Sequence, residues 1–184
     1  MTDVARAGED ASDQTLIERW RAGDERAATA LVERHAPALS RFAASLGARE
    51  ESDELVQDTF VRAFGSLDSF RNDASLRTWL FTILRRLLLD RQRSARRHRG
   101  QVSLDGVELS TDHGALDLML ADEAEARLGR AVQGLTRMQR EVFTLRVSEG
   151  ASYREIAEVV GTTEGAARVH YHNAVRAVKE ALDD

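Results

Sequence analysis

The sequence contains no cysteine, one proline in 184 residues, and only 5% aromatic side chains. Without cysteine there are no disulfides, no thiol nucleophiles and no thiolate metal sites, which fits a reducing compartment. So little proline and aromatic character argues against an all-β sandwich, which needs many turns and β-formers. Lysine is almost missing too, with Lys179 alone among the 26 basic residues. No unbroken apolar run approaches the ~18–20 residues of a membrane span. The opening MTDVARAGED has no apolar core for a secretory signal. A soluble, largely helical, cytoplasmic protein is expected.

What the chain does have is helical spacing. Leu16, Ile17 and Trp20 make a short stripe ended by Gly23. Asp24 is placed to cap a longer helix with Ala27, Ala28, Leu31, Val32, His35, Leu39, Phe42 and Leu46 on one face. Pro37 lies inside that stripe and is expected to kink or interrupt it. A third helix starts near Asp53 and carries the apolar Leu55, Val56, Phe60, Val61 and Phe64. After the irregular SLDSFRNDAS, Ser75 is placed to cap a fourth helix, with Trp79, Leu80, Ile83, Leu84, Leu87 and Leu88.

The formal charge of −5 argues at first against a nucleic-acid partner, but the charge is segregated. The fourth helix ends in Arg85, Arg86, Arg91, Arg93, Arg96, Arg97 and Arg99, broken only by Asp90. So many guanidinium groups repel one another unless an anion neutralises them, and phosphate suits their fork geometry. A solvated helix end, favoured by the helix dipole, is the plainer account. Phe70, Asn72, Trp79 and Phe81 lie nearby; such groups stack on or hydrogen-bond with unpaired bases, although Trp79 and Phe81 are equally suited to a core. Residues 101–126 then hold seven carboxylates and no Lys or Arg, with no sustained period in the first half, so a linker is expected. Helical spacing resumes near Leu116.

Beyond it, Thr136 with Gln139 and Ser152 with Glu155 both fit the capping box, marking helices over about 137–148 and 153–160. Gly161 breaks the second, and Thr162 or Thr163 caps a last helix to about Leu182. A short helix, a glycine turn and a longer helix form the helix-turn-helix pattern, though an ordinary helical hairpin reads the same way. Ala167, Tyr171, Ala174, Val178 and Leu182 are the expected buried face. Arg168, Val169, His172, Asn173 and Arg176 are left outward, and Arg and Asn can make bidentate contacts with guanine and adenine edges. DNA affinity from this unit alone is expected to be modest, because Glu164 and Glu180 offset its few cations.

Catalysis has little support. His170 and His172 are two apart and point in different directions on a helix; His35, His98 and His113 are scattered. There is no phosphate-cradling glycine loop and no nucleophile motif. The chain is expected not to be an enzyme and to need no cofactor or metal.

Two blocks carry a family resemblance. DELVQDTFVRAFGSLDSFRNDASLRTWLFTILRRLLLDRQRSARR and LTRMQREVFTLRVSEGASYREIAEVVGTTEGAARVHYHNAVRAVKEAL, in that order around a short acidic linker, resemble the extracytoplasmic-function (ECF) sigma factors of bacterial RNA polymerase. The resemblance covers roughly Leu16 to Leu182. It implies an all-α fold of two small helical domains, a promoter-melting domain at 12–99 and a helix-turn-helix domain at 127–184, joined by the linker at 100–126. It implies that Asp53, Glu54, Leu55, Val56, Gln57, Asp58 and Phe60 dock on the coiled coil of the polymerase clamp. Phe70, Arg71, Asn72, Asp73, Trp79, Arg86, Arg93, Arg96 and Arg97 would take the minus-ten element, holding a flipped base and following phosphates. Thr163, Arg168, Val169, His172, Asn173 and Arg176 would read the minus-thirty-five element. The acidic linker would thread the polymerase's basic path, mimicking nucleic-acid charge. Core polymerase (clamp coiled coil and flap), promoter DNA and an anti-sigma factor are the implied partners.

The chain departs from the family at Arg86, where Asn is common, and at Val169, His170 and Asn173, where Ser, Arg and Arg are frequent. The rival reading is a stand-alone helix-turn-helix regulator that binds DNA as a dimer, which leaves the arginine run and acidic linker without a role.

Overall fold

Asp24 has extended backbone and accepts a hydrogen bond from the Arg26 backbone N–H at 3.0 Å, so the chain turns there from one helix into the next. The computed structural model describes residues 11–67, 70, 74–100 and 123–183, and the side chains of 99–100 and 123–125 are not described. Its helices are α1 (Asp13–Arg21), α2 (Glu25–Ser45), α3 (Ser52–Gly65), α4 (Leu76–Gly100), α5 (Glu123–Gln133), α6 (Arg137–Val147), α7 (Tyr153–Val160) and α8 (Glu164–Asp183). Among the described residues there is no strand. The all-α, two-part architecture follows the sequence expectation. Helix α5 starts at Glu123, inside the segment expected as linker, and α4 runs on to Gly100.

The caps fall where the side chains dictate. Ser12 begins α1, Ser75 accepts from the Thr78 backbone N–H at 3.1 Å, and Thr163 accepts from that of Ala166 at 3.1 Å. Both capping boxes are closed: Gln139 reaches back to the Thr136 N–H and Glu155 to the Ser152 N–H. Gly161 ends α7 at φ 71°, ψ 47°, the left-handed region that favours glycine.

Pro37 does not interrupt α2, which runs through it from Glu25 to Ser45. Proline removes one helical hydrogen bond and costs about 3 kcal/mol in a helix interior. The buried face of α2 on both sides of it, with Leu31 and His35 before and Ala38, Leu39 and Phe42 after, holds the helix together. At roughly 1.5–3 kcal/mol for each large apolar side chain removed from water, packing outweighs that penalty.

Helices α1–α4 enclose a core with Leu16, Ile17, Leu31, Phe42, Leu55, Leu80 and Leu84 at its centre. Phe42 meets Phe81 edge-on at 5.2 Å, which settles Phe81 as core rather than a base-stacking group. The same apolar cluster continues without a break into Val142, Leu145, Ile156 and Val160, because α4 packs on α7 and α2 on α6. A smaller cluster of Ala131, Leu135, Ala174 and Val178 joins α5 to α8. Tyr171, expected inside, is half-buried and stacked near Phe143 and Tyr153.

Candidate polymerase and nucleic-acid interface

Helix α3 begins with Asp53 and Glu54 at its positive end, which favours those carboxylates. Its outward side carries Asp53, Glu54, Gln57 and Val61, with Asp58 at the margin. Val61, one of its apolar residues, is 65% exposed. Conversely, Leu55, Val56 and Phe60, which the resemblance places in the docking set, are buried on the inward side of α3. One helix cannot present seven neighbouring positions to the same partner, because period 3.6 sends alternate ones inward.

The acidic face is not free-standing. Arg91 Nη2 on α4 donates to Asp58 at 2.6 Å and to Glu54 at 3.0 Å, with Glu51 at 3.7 Å from Nη1. Nothing in the sequence announces this clamp, since its partners lie more than thirty positions apart.

Arg91 is one of two arginines of the α4 run hydrogen-bonded to carboxylates among the described residues. The other is Arg85, whose Nε donates to Glu141 at 2.7 Å. Arg93 lies 3.6 Å from Asp90. Arg86, Arg96 and Arg97 are exposed, and among the described residues no carboxylate pairs with them. The repulsion expected within the run is thus relieved in part by protein groups, leaving a narrower set for an external anion. Upstream, Phe70 and Trp79 are half-buried with ring centroids 4.9 Å apart. Arg71, Asn72 and Asp73 lie outside the described residues.

In the second half, α7, the Gly161 turn and α8 form the helix-turn-helix. Thr163 is both exposed and the cap of α8. Arg168, Val169, His172 and Arg176 are exposed on α8; Asn173, expected outward, is half-buried. Arg168 lies over the Tyr153 ring at 5.0 Å and donates to Glu164 at 3.1 Å, while Arg176 is 4.0 Å from Glu180. Exposed pairs of this kind are worth about 0.2–1 kcal/mol, so either guanidinium can exchange its partner for a base edge or a phosphate. Val169 is 58% exposed, an apolar contact surface on a polar face.

Among the described residues no group of His, Asp and Glu side chains is placed to hold a metal ion, and no helix is long and apolar enough to cross a membrane.

The family models matched are Sigma-70 region 2 over residues 31–98 and Sigma-70, region 4 over residues 125–178. The chain is 31% identical to the RNA polymerase sigma-H factor of Pseudomonas aeruginosa over 180 residues, 92% of this chain and 93% of the relative. It is 29% identical to the ECF RNA polymerase sigma-E factor of Escherichia coli K12, covering 96% and 95% of the two. Among solved structures it is similar to CnrH in complex with the cytosolic domain of CnrY, with TM-score 0.69, 31% identity and coverage of 93% and 97%. It is also similar to the sigma factor RpoE in complex with the anti-sigma factor NepR from Bartonella quintana, with TM-score 0.64, 31% identity and coverage of 83% and 92%. With both matched regions in order, and full-length relatives on either comparison, the chain belongs to the ECF RNA polymerase sigma factors, which act in transcription initiation.

Proposed function

We propose that the outward face of α3 docks on the coiled coil of the polymerase clamp, that α4 and the segment before it take the minus-ten element, and that α8 reads the minus-thirty-five element. The docking group is Asp53, Glu54, Gln57 and Asp58, widened by Val61. The single observation that carries this reading is the division of the surface. An acidic face stands on α3, while Arg86, Arg96 and Arg97, with which no carboxylate among the described residues pairs, stand on α4.

On the minus-ten side, Trp79 and Phe70 supply ring surface, and Arg71, Asn72 and Asp73 belong to the same group by sequence. Arg93, Arg96 and Arg97 follow the phosphates, and Arg86 stands beside the base. Flipping a base costs a few kcal/mol, which stacking and polar contacts must offset. On the minus-thirty-five side, Arg168, Val169, His172 and Arg176 meet the major groove, with Asn173 at the edge and Thr163 at the helix start. The units are 12–99 and 127–184, with the acidic linker at 100–126 passing along basic polymerase surface and the flap holding the second unit. Weak individual sites suffice when the polymerase joins them, since the second contact then forms at high effective concentration.

The protein has no catalytic role of its own in this reading, and it works beside polymerase in the cytoplasm. Of two structural neighbours, the sigma factor RpoE is in complex with the anti-sigma factor NepR and CnrH is in complex with the cytosolic domain of CnrY, so an anti-sigma partner is proposed for this chain as well. Purified protein mixed with core polymerase is expected to co-elute and to direct a transcript from a selected promoter. Failure to co-elute, with occupancy of palindromic DNA as a dimer, would establish the stand-alone regulator instead.

A further inference from the structure

The two halves meet through charge as well as apolar packing. Glu141 on α6 is fully buried, and it accepts from Arg85 Nε at 2.7 Å and from Arg137 Nε at 2.8 Å. Glu149, just after α6, has a side chain only 1% exposed. It accepts from Arg41 Nε and Nη2 at 3.1 and 3.2 Å and from Arg77. Arg41 stands on α2, and Arg77 and Arg85 on α4. Around them, Arg137 Nη1 donates to Gln92 at 2.9 Å and Thr78 Oγ1 to Glu155 at 3.4 Å. So two buried carboxylates of the second half hold three arginines of the first.

This closed arrangement does not fit simultaneous reading of two promoter elements. Elements named for positions ten and thirty-five are about 25 base pairs apart, or about 85 Å at ~3.4 Å per pair. Helix α4 packs directly on α7, and α8 follows α7 by one turn. At ~8–10 Å per helix contact, the axes of α4 and α8 are about 20 Å apart. The gap has to open by several times that distance. The chain between Gly100 and Glu123 permits it, since residues 101–122 at ~3.4 Å each reach at most about 75 Å.

We propose that Glu141 and Glu149 form a latch that keeps the free sigma factor closed, occupying Arg85, Arg77 and Arg41 as stand-ins for phosphate, and that promoter engagement requires its release. The proposal rests on the two-element reading above. Its physical basis is the kind of contact used. Buried ion pairs add little net stability against an apolar equivalent, and they are retained where they fix one arrangement against others. Unlike an all-apolar seam, arginines and carboxylates rehydrate when separated, so the interface can part. Opening also frees Arg77 and Arg85 from their carboxylates, adding two unpaired cations to the helix that carries Arg86.

The chain has no native cysteine, so donor and acceptor dyes can be placed on Arg62→Cys and Lys179→Cys, both exposed and outside the interface. Energy transfer in the free, full-length protein is expected to be high and to fall when core polymerase and promoter are added. Arg85→Glu is expected to raise the open-to-closed ratio about a hundredfold, as removal of a buried partner does. Arg85→Glu with Glu141→Arg is expected to restore transfer by exchanging the charges. Should Arg85→Glu fail to fold by circular dichroism, Arg41→Ala with Arg77→Ala removes both partners of Glu149 and is expected to act in the same direction. Low transfer in the free wild type, or unchanged transfer in these variants, overturns the latch. So does a promoter-specific transcript made with transfer still high. Absence of any transcript overturns the two-element reading, while the transfer of the free protein still decides the latch.

Discussion

Arg91 Nη2 lies 2.6 Å from Asp58 Oδ2, so the acidic face proposed to dock on polymerase is held in place by an arginine of the helix proposed to take DNA. Both side chains are partly exposed, at 27% and 45%, and the pair is worth no more than about 1 kcal/mol. Its effect is orientation: with Glu54 and Glu51 it fixes where three carboxylates point.

A charge reversal there separates docking from folding. Asp58→Arg places a second guanidinium beside Arg91 and is expected to weaken core-polymerase binding about tenfold or more, as a like-charge contact does. Arg91→Ala loses the same ion pair without reversing the face. It is expected to lower the melting temperature by about 2–4 °C, as 1 kcal/mol does in a chain of this size. Titration of each variant against core polymerase, beside a melting curve, checks this. Equal affinity for Asp58→Arg and wild type would count against the α3 face.

Much of this was legible in the sequence, and the misses have a common cause. Caps are local: Ser75, Thr136, Ser152 and Gly161 declare themselves within four positions, and all four hold. Burial on one helix is also periodic, yet the docking set borrowed from resemblance mixed inward Leu55, Val56 and Phe60 with outward Glu54 and Gln57. Val61 went the other way because α3 meets core on a narrower face than its apolar pattern suggests. The ion pairs of Arg85, Arg91 and Glu149 join residues 33 to 108 positions apart. No spacing rule reaches that far, so the run of arginines looked more available for an external anion than it is.

Base reading on α8 is tested at Arg168, whose present partners are Glu164 on the same helix and the Tyr153 ring on α7. Arg168→Ala is expected to lose about 1–3 kcal/mol of discrimination, roughly 5- to 150-fold, at the native minus-thirty-five element. On promoters with that element scrambled, little should change. Abortive-initiation rates on the two templates make the comparison, and an equal loss on both would assign Arg168 to a phosphate.

Gly161 tests the turn that aims α8. An added Cβ meets nothing within 4 Å, so crowding is not at issue; the φ of 71° is. Gly161→Ala is expected to cost about 1–2 kcal/mol through left-handed strain alone. Urea denaturation would report it as a lower midpoint with unchanged slope.

Acid should loosen the protein through two carboxylates. Hydrogen bonds from the Ser152 side chain and backbone hold Glu155 below its ordinary 4.5, against the opposing effect of burial. At Asp13 burial pushes upward, but hydrogen bonds from His35 and Arg34 prevail and leave it below 3.8. A group depressed on folding contributes stability that is fully present above its unfolded value and lost as pH falls through its folded one. Stability is therefore expected to be level from neutral pH down to about pH 4.5 with respect to these groups, then to fall. Glu155→Gln, which cannot ionise, should show a shallower fall in urea midpoint against pH, and an identical profile would remove Glu155 from the account.

Arg96 and Arg97 stand exposed near the end of α4, and no carboxylate among the described residues competes for them. If they track phosphates, each releases close to one counterion on binding, with slopes of ~0.7 per contact on single strands and ~0.9 on duplex. The double replacement by alanine is expected to weaken holoenzyme–promoter affinity and to reduce the slope of log K against log salt by about 1.4–1.8. Arg91→Ala is the matched control, because Arg91 is already occupied by Asp58 and Glu54 and should leave the slope unchanged. Binding measured across a salt series distinguishes the cases. A slope that stays at the wild-type value in the double variant would mean that the end of α4 does not reach DNA, and that its charge only keeps the helix solvated.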